Sequence, residues 1–130
     1  MRTSGTAMTN QTALRASAFL GFVGVGLGAF GAHSLKGLLA QNGTAPIWDK
    51  AVLYHLIHAV MLFVVANRQP FSRGAWWSFL FGIIFFSGSL YLLALTNVHW
   101  LGAITPFGGV SFLAGWCCLM RTNSAGGAVS

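Results

Sequence analysis

The chain has 130 residues, 55% of them hydrophobic and 6% charged, with a mean hydropathy of +0.71. One domain fits that length. A soluble domain is roughly 25% charged, so this chain lacks the polar residues to coat a water-facing surface, and composition excludes an ordinary soluble fold and a disordered chain alike. The formal net charge of +6 comes from seven Lys and Arg against one acid, Asp49. These cations are scattered along the chain, which excludes a nucleic-acid footprint and suits membrane loops.

Residues 1–14 are polar and show no hydrophobic period, and both they and residues 122–130 are expected to be disordered tails. Between them lie four uncharged apolar runs, 16–32, 51–66, 75–96 and 100–120. A membrane span needs about 20 predominantly apolar residues. The runs predict spans over about 15–35, 50–67, 75–96 and 100–120. The first run, preceded by Arg15 and carrying Ala29-Phe30-Gly31, has a cleavable signal peptide as its alternative, and the N-terminal tail has an organelle transit segment. The run is longer than a usual signal core and its glycines recur with a packing period, so the span is preferred.

The connections differ in kind. Loop one, 34–50, sets Leu35, Leu38 and Leu39 around Lys36, then Gly43 and Pro46. This predicts a short interfacial helix followed by a turn. Loop two, 67–74, carries Arg68, Pro70 and Arg73; loop three, 97–99, is so short that the third and fourth spans form an antiparallel hairpin. The expected fold is all-α: an integral-membrane, four-transmembrane-helix up-down bundle. Arg2, Arg15, Arg68, Arg73 and Arg121 fall on one side of it, Lys36 and Lys50 on the other. The positive-inside bias then places both termini in the cytoplasm. Trp48, Trp76, Trp77 and Trp100 fall at span boundaries, where indoles anchor in the interface.

Lipid tails are as apolar as Leu, so spans associate by close packing and hydrogen bonds. Ser17, Gly21, Gly24, Gly28 and Gly31 recur in steps of four and three and form one small-residue stripe on the first span. Gly108, Ser111 and Gly115 do the same on the fourth, and Ser78, Gly82 and Ser89 offer small residues on the third. Packing within one chain is the preferred use of these stripes; a homo-oligomer seam and a glycine-lined path are the alternatives. Pro106 removes a backbone donor inside the fourth span and is expected to kink it near Gly102.

Polar residues in hydrocarbon are expensive and therefore informative. With a rise of about 1.5 Å per residue, His33, Tyr54, His55, His58, Ser87, Ser89, Tyr91 and Thr105 mostly fall within roughly 15 Å of one membrane surface. They form a candidate polar or binding layer in the outer half. Tyr54 and His58, four residues apart, share a helical face. Buried hydrogen bonds between helices are the preferred role, and a small-molecule or proton site is the alternative. Haem ligation by His33 and His58 would need an open pocket that nothing in the sequence supplies. No carboxylate lies inside the membrane, and no nucleophile elbow, zinc-protease motif or phosphate loop occurs, so no catalytic residue, metal or cofactor is expected. Cys117 and Cys118 are adjacent and give neither disulfide nor metal-ligand spacing.

Three strings then carry a family resemblance: Gly28-Ala29-Phe30-Gly31-Ala32-His33, Phe86-Ser87-Gly88-Ser89-Leu90-Tyr91, and Thr105-Pro106-Phe107-Gly108-Gly109-Val110-Ser111-Phe112-Leu113-Ala114-Gly115-Trp116. With Tyr54-x-x-x-His58 between the first two, the chain from about Arg15 onward closely resembles the YgdD-like family. That family comprises small four-helix inner-membrane proteins, a domain of unknown function, with distant relatives among small eukaryotic transmembrane proteins. The resemblance implies a bacterial inner-membrane protein and supplies no substrate or reaction. The functional expectation is a non-enzymatic packing, interaction or accessory protein whose partners are the lipid bilayer and a second copy or another membrane protein. Its alternative is a small transporter or channel-like protein using the outer polar layer.

Overall fold

The computed structural model describes residues 2–129, and their side chains over residues 10–121. The elements in chain order are α1 (Arg2–Ala32), α2 (Lys36–Asn42), α3 (Ala45–Asn67), α4 (Arg73–Gly82), a π-helical segment (Ile83–Ser87), α5 (Gly88–Thr96), a 3-10 segment (His99–Ala103) and α6 (Thr105–Val129). Among the described residues there is no strand, and four helical stretches are long and apolar enough to cross a membrane: Asn10–Ala32, Ala45–Asn67, Arg73–Thr96 and His99–Arg121. The chain is an all-α, four-span membrane protein. α3 and the third span form its centre, with α1 against α3 and α6 against the third span. The central spans are accordingly the more buried, 39% and 44% against 17% and 22% for the flanking ones.

Several boundaries differ from expectation. Asn10 to Leu14, expected in the tail, stand in α1, with Asn10 and Ala13 buried. The side chains of residues 1–9 and 122–130, on which the rest of the tail expectation falls, lie outside the described set. The second span begins at Ala45 rather than near 50, because Pro46 sits in the first turn of α3, where its missing N–H is no loss. The expected short helix before it is present as α2. It ends on Gly43 at φ 70°, a left-handed position that glycine adopts without steric cost.

Pro106 likewise starts a helix instead of kinking one. It stands in the first turn of α6, after a 3-10 segment that has already reshaped the backbone around Gly102. Loop one also has a packing role that its sequence did not announce. Thr44 Oγ1 donates to the Ala94 carbonyl at 2.7 Å, and Asn42 Nδ2 donates to Ala94 at 3.1 Å and Leu95 at 3.3 Å. These carbonyls belong to the last turn of α5, whose intrahelical donors have run out.

Candidate functional site

The stripe on α1 faces α3. A methyl group added at Gly24 would meet Leu56 Cδ2 at 2.6 Å and His55 Cδ2 at 3.2 Å, and one at Gly28 would meet Val52 at 3.3 Å. At Gly31 it would strike the Trp48 indole. Gly21, assigned to the same stripe, has nothing within 4 Å of that position, so the packing surface there begins at Gly24. Farther back along α1, Ser17 is buried, donating to the Ala13 carbonyl at 2.7 Å and accepting from Trp76 Nε1–H at 3.1 Å.

Absence of side chains at two of these positions opens backbone oxygen to the neighbouring helix. In an α-helix the carbonyl at i accepts the N–H at i+4, so Leu20 and Leu27 are the carbonyls paired with Gly24 and Gly31. Both take a second hydrogen bond from α3: His55 Nε2–H donates to Leu20 at 2.9 Å, and Trp48 Nε1–H donates to Leu27 at 2.9 Å. Trp48 and Trp76 are thus buried hydrogen-bond donors, not the interfacial anchors their boundary positions suggested, whereas Trp77 and Trp100 are exposed at span ends.

The expected polar layer resolves into separate hydrogen-bonded groups, and with the second span starting at Ala45 His58 stands near the middle of that span. The Tyr91 hydroxyl donates to His55 Nδ1 at 2.8 Å, because the other nitrogen of that ring already carries the proton directed at Leu20. Trp48 packs on Tyr91 with ring centroids 4.8 Å apart. His58 is held differently. Its Nδ1–H donates to the Tyr54 carbonyl at 2.9 Å, and Nε2 accepts from Trp116 Nε1–H at 3.2 Å. The ring lies flat on Phe112, centroids 3.7 Å apart and planes 10° from parallel, with Phe79 beside it at 5.3 Å. Ser87 Oγ–H donates to the Ala51 carbonyl at 2.7 Å, and Ser89 and Thr105 share a hydroxyl–hydroxyl bond of 2.7 Å.

One expected member stands apart: His33 is exposed in the turn after α1. Tyr54 shares the face of His58 as its spacing predicts, the two rings nearly parallel with centroids 6.2 Å apart, while it also packs on Phe86 at 4.6 Å and its backbone carbonyl accepts from His58 Nδ1–H. Trp116, Phe112 and Phe79 complete the His58 site and were missed as site residues, although Trp116 is the one indole inside the fourth apolar run beyond its first residue, Trp100. Among the described residues, Asn10 Oδ1 is the single buried side-chain oxygen or nitrogen atom left without a partner, and no cluster of three or more His, Cys, Asp or Glu is placed to hold a metal.

The second small-residue surface meets the third span along α4 and at its π-helical segment. Gly108 lies against the Phe86 backbone, Gly115 against the Phe79 ring, and Gly82 opposite the Phe112 ring. Ser111 Oγ–H donates to the Ser78 carbonyl at 2.7 Å.

The family model described as "Protein of unknown function (DUF423)" matches residues 27–109, most of the chain and all eight residues of the expected polar layer. The chain belongs to the DUF423 family. Its similarity to named relatives agrees with the YgdD-like resemblance. It is 40% identical over 119 residues to the UPF0382 inner membrane protein YgdD of Escherichia coli, covering 87% of this chain and 89% of the relative. It is 49% identical over 100 residues to UPF0382 membrane protein SERP0230 of Staphylococcus epidermidis, covering 74% and 81%. It is 45% identical over 102 residues to UPF0382 membrane protein YwdK of Bacillus subtilis, covering 74% and 82%. No solved structure matches this DUF423 protein. The family and its relatives are of unknown function, and membrane residence is the property their names share.

Proposed function

We propose that this protein is a non-enzymatic packing or interaction protein of the bacterial inner membrane, an accessory subunit that works through its lateral surface. The observation that carries the reading is the pairing of its intramembrane polar groups. His55, His58, Tyr91, Ser87, Ser89 and Thr105 each hydrogen-bond to a group of the same chain. Groups already satisfied in this way hold helices together and offer no general base or ligand awaiting a substrate. The outward faces of α1 and α6, with Phe19, Phe22, Phe107, Val110 and Leu113 more than 60% exposed, provide broad apolar surface on the two flanks. Photo-crosslinking residues placed at Phe22 and Val110 in native membranes test the reading. Adducts of discrete protein mass, twice the chain's own or another's, are expected from at least one flank; only lipid adducts from both would overturn it.

Orientation rests on charge. Five of the seven Lys and Arg lie on the side of the termini and loop two, which supports cytoplasmic termini. Reporter fusions after Arg73 and after Arg121 are expected to read cytoplasm, and one within 41–44 to read the opposite side. A cytoplasmic signal from 41–44 contradicts that orientation.

A further inference from the structure

Between the start of α1 and α4 a groove of about 500 Å³ opens on the side of the bundle, walled by Ala13, Ala16, Phe71, Trp77 and Leu80, with Arg73 at its mouth. Trp76 also lines it and is fixed there by its bond to Ser17. The volume falls within the range of about 300–1,000 Å³ found for ligand pockets. Its walls are mostly apolar, with Thr12 among them, and among the described residues its one charged group is an exposed guanidinium at the first residue of the third span.

The chain cannot neutralise that guanidinium with a side chain of its own. Its sole acid, Asp49, stands in the first turn of α3. Consecutive spans run in opposite directions, so the starts of α3 and α4 lie at opposite membrane faces. A second copy would bring a net charge of +6 and no better anion. The groove therefore calls for an occupant with an anion at the membrane boundary and a hydrocarbon chain below it. Guanidinium pairs well with phosphate oxygens, and an indole such as Trp77 is at home at headgroup level.

We propose that this groove holds one anionic phospholipid, its phosphodiester at Arg73 and one acyl chain lying between α1 and α4. The proposal is independent of the protein's orientation and of its partners.

The test uses the full chain reconstituted with phosphatidylglycerol or phosphatidylcholine and released for native mass spectrometry, with thermal unfolding measured alongside. One phosphatidylglycerol is expected to be retained in preference to phosphatidylcholine. Arg73→Gln should lower that retention about ten-fold, the size of one lost charge-assisted hydrogen bond, with Arg73→Lys intermediate. Arg121→Gln, the same charge loss at another exposed boundary position, should leave it unchanged. Ala16→Leu, which fills the slot, should lower retention of phosphatidylglycerol; should that variant fail to fold, the Arg73 and Arg121 pair decides. Equal retention of the two lipids, equal loss in Arg73→Gln and Arg121→Gln, or displacement by excess inorganic phosphate would each overturn the proposal.

Discussion

At position 58 the Tyr54 carbonyl can only accept and the Trp116 indole can only donate, so the ring between them carries one proton, on Nδ1. The His55 ring has the opposite arrangement, with its proton on Nε2 facing Leu20 and Nδ1 receiving the Tyr91 hydroxyl. In both cases the neutral imidazole fills its surroundings. A second proton on His58 would set two N–H groups against each other at Trp116. A side chain able to donate and accept at similar reach should therefore replace the ring with little loss. For His58→Gln we expect a folded protein, less stable by no more than about 1.7 kcal/mol, the upper end for cross-helix hydrogen bonds in membranes. Thermal unfolding in detergent reads this directly. Loss of the fold would mean that the flat stack on Phe112 contributes more than the two hydrogen bonds together.

Along α1 the glycines act by position, not by number. Gly24 and Gly31 bring α3 close enough for His55 and Trp48 to reach the carbonyls of Leu20 and Leu27, while Gly26 and Gly21 face open space. Gly24→Leu and Gly28→Leu should each cost more stability than Gly26→Leu, by about 1–3 kcal/mol for overpacking. Even Gly31→Ala should exceed Gly26→Leu, because its methyl would displace the Trp48 indole and leave a buried N–H without its acceptor. Detergent melting curves of the four variants rank them, and equal losses would show that the stripe has no special face. The stripe and the four spans were legible because steps of three and four and uninterrupted apolar length are local signals. The π-helical segment at Ile83–Ser87 was not. Its backbone is shaped beside Gly108 of α6, which comes against the Phe86 main chain, and no residue within the segment announces that contact. The inward turn of Trp48 and Trp76 was hidden for a related reason. When lipid and core are both apolar, a boundary indole reads the same whether it points outward to the interface or inward to a carbonyl. The caps from Asn42 and Thr44 join positions about 50 residues apart in sequence, beyond any local pattern.

For the whole molecule, these contacts produce a bundle whose middle is closed by its own hydrogen bonds and whose sides are apolar. The intramembrane polar residues, continuous in depth when read from the sequence, are divided among the α1–α3, α3–α5, α3–α6 and third-to-fourth-span contacts, with hydrophobic rings such as Phe112 and Phe86 between them. A proton wire would need these groups to hand protons on, and the hydrogen-bonded ones instead point at fixed partners, His55 at Leu20 and Tyr91 and His58 at Tyr54 and Trp116. The central claim of the proposed function is that this layer holds helices together and conducts nothing. Proton flux into liposomes carrying the purified protein, driven by an imposed pH gradient and read with an enclosed pH-sensitive dye, tests it most directly. The account predicts a rate equal to that of protein-free liposomes; a protein-dependent flux abolished by a stably folded His58→Gln variant would contradict it.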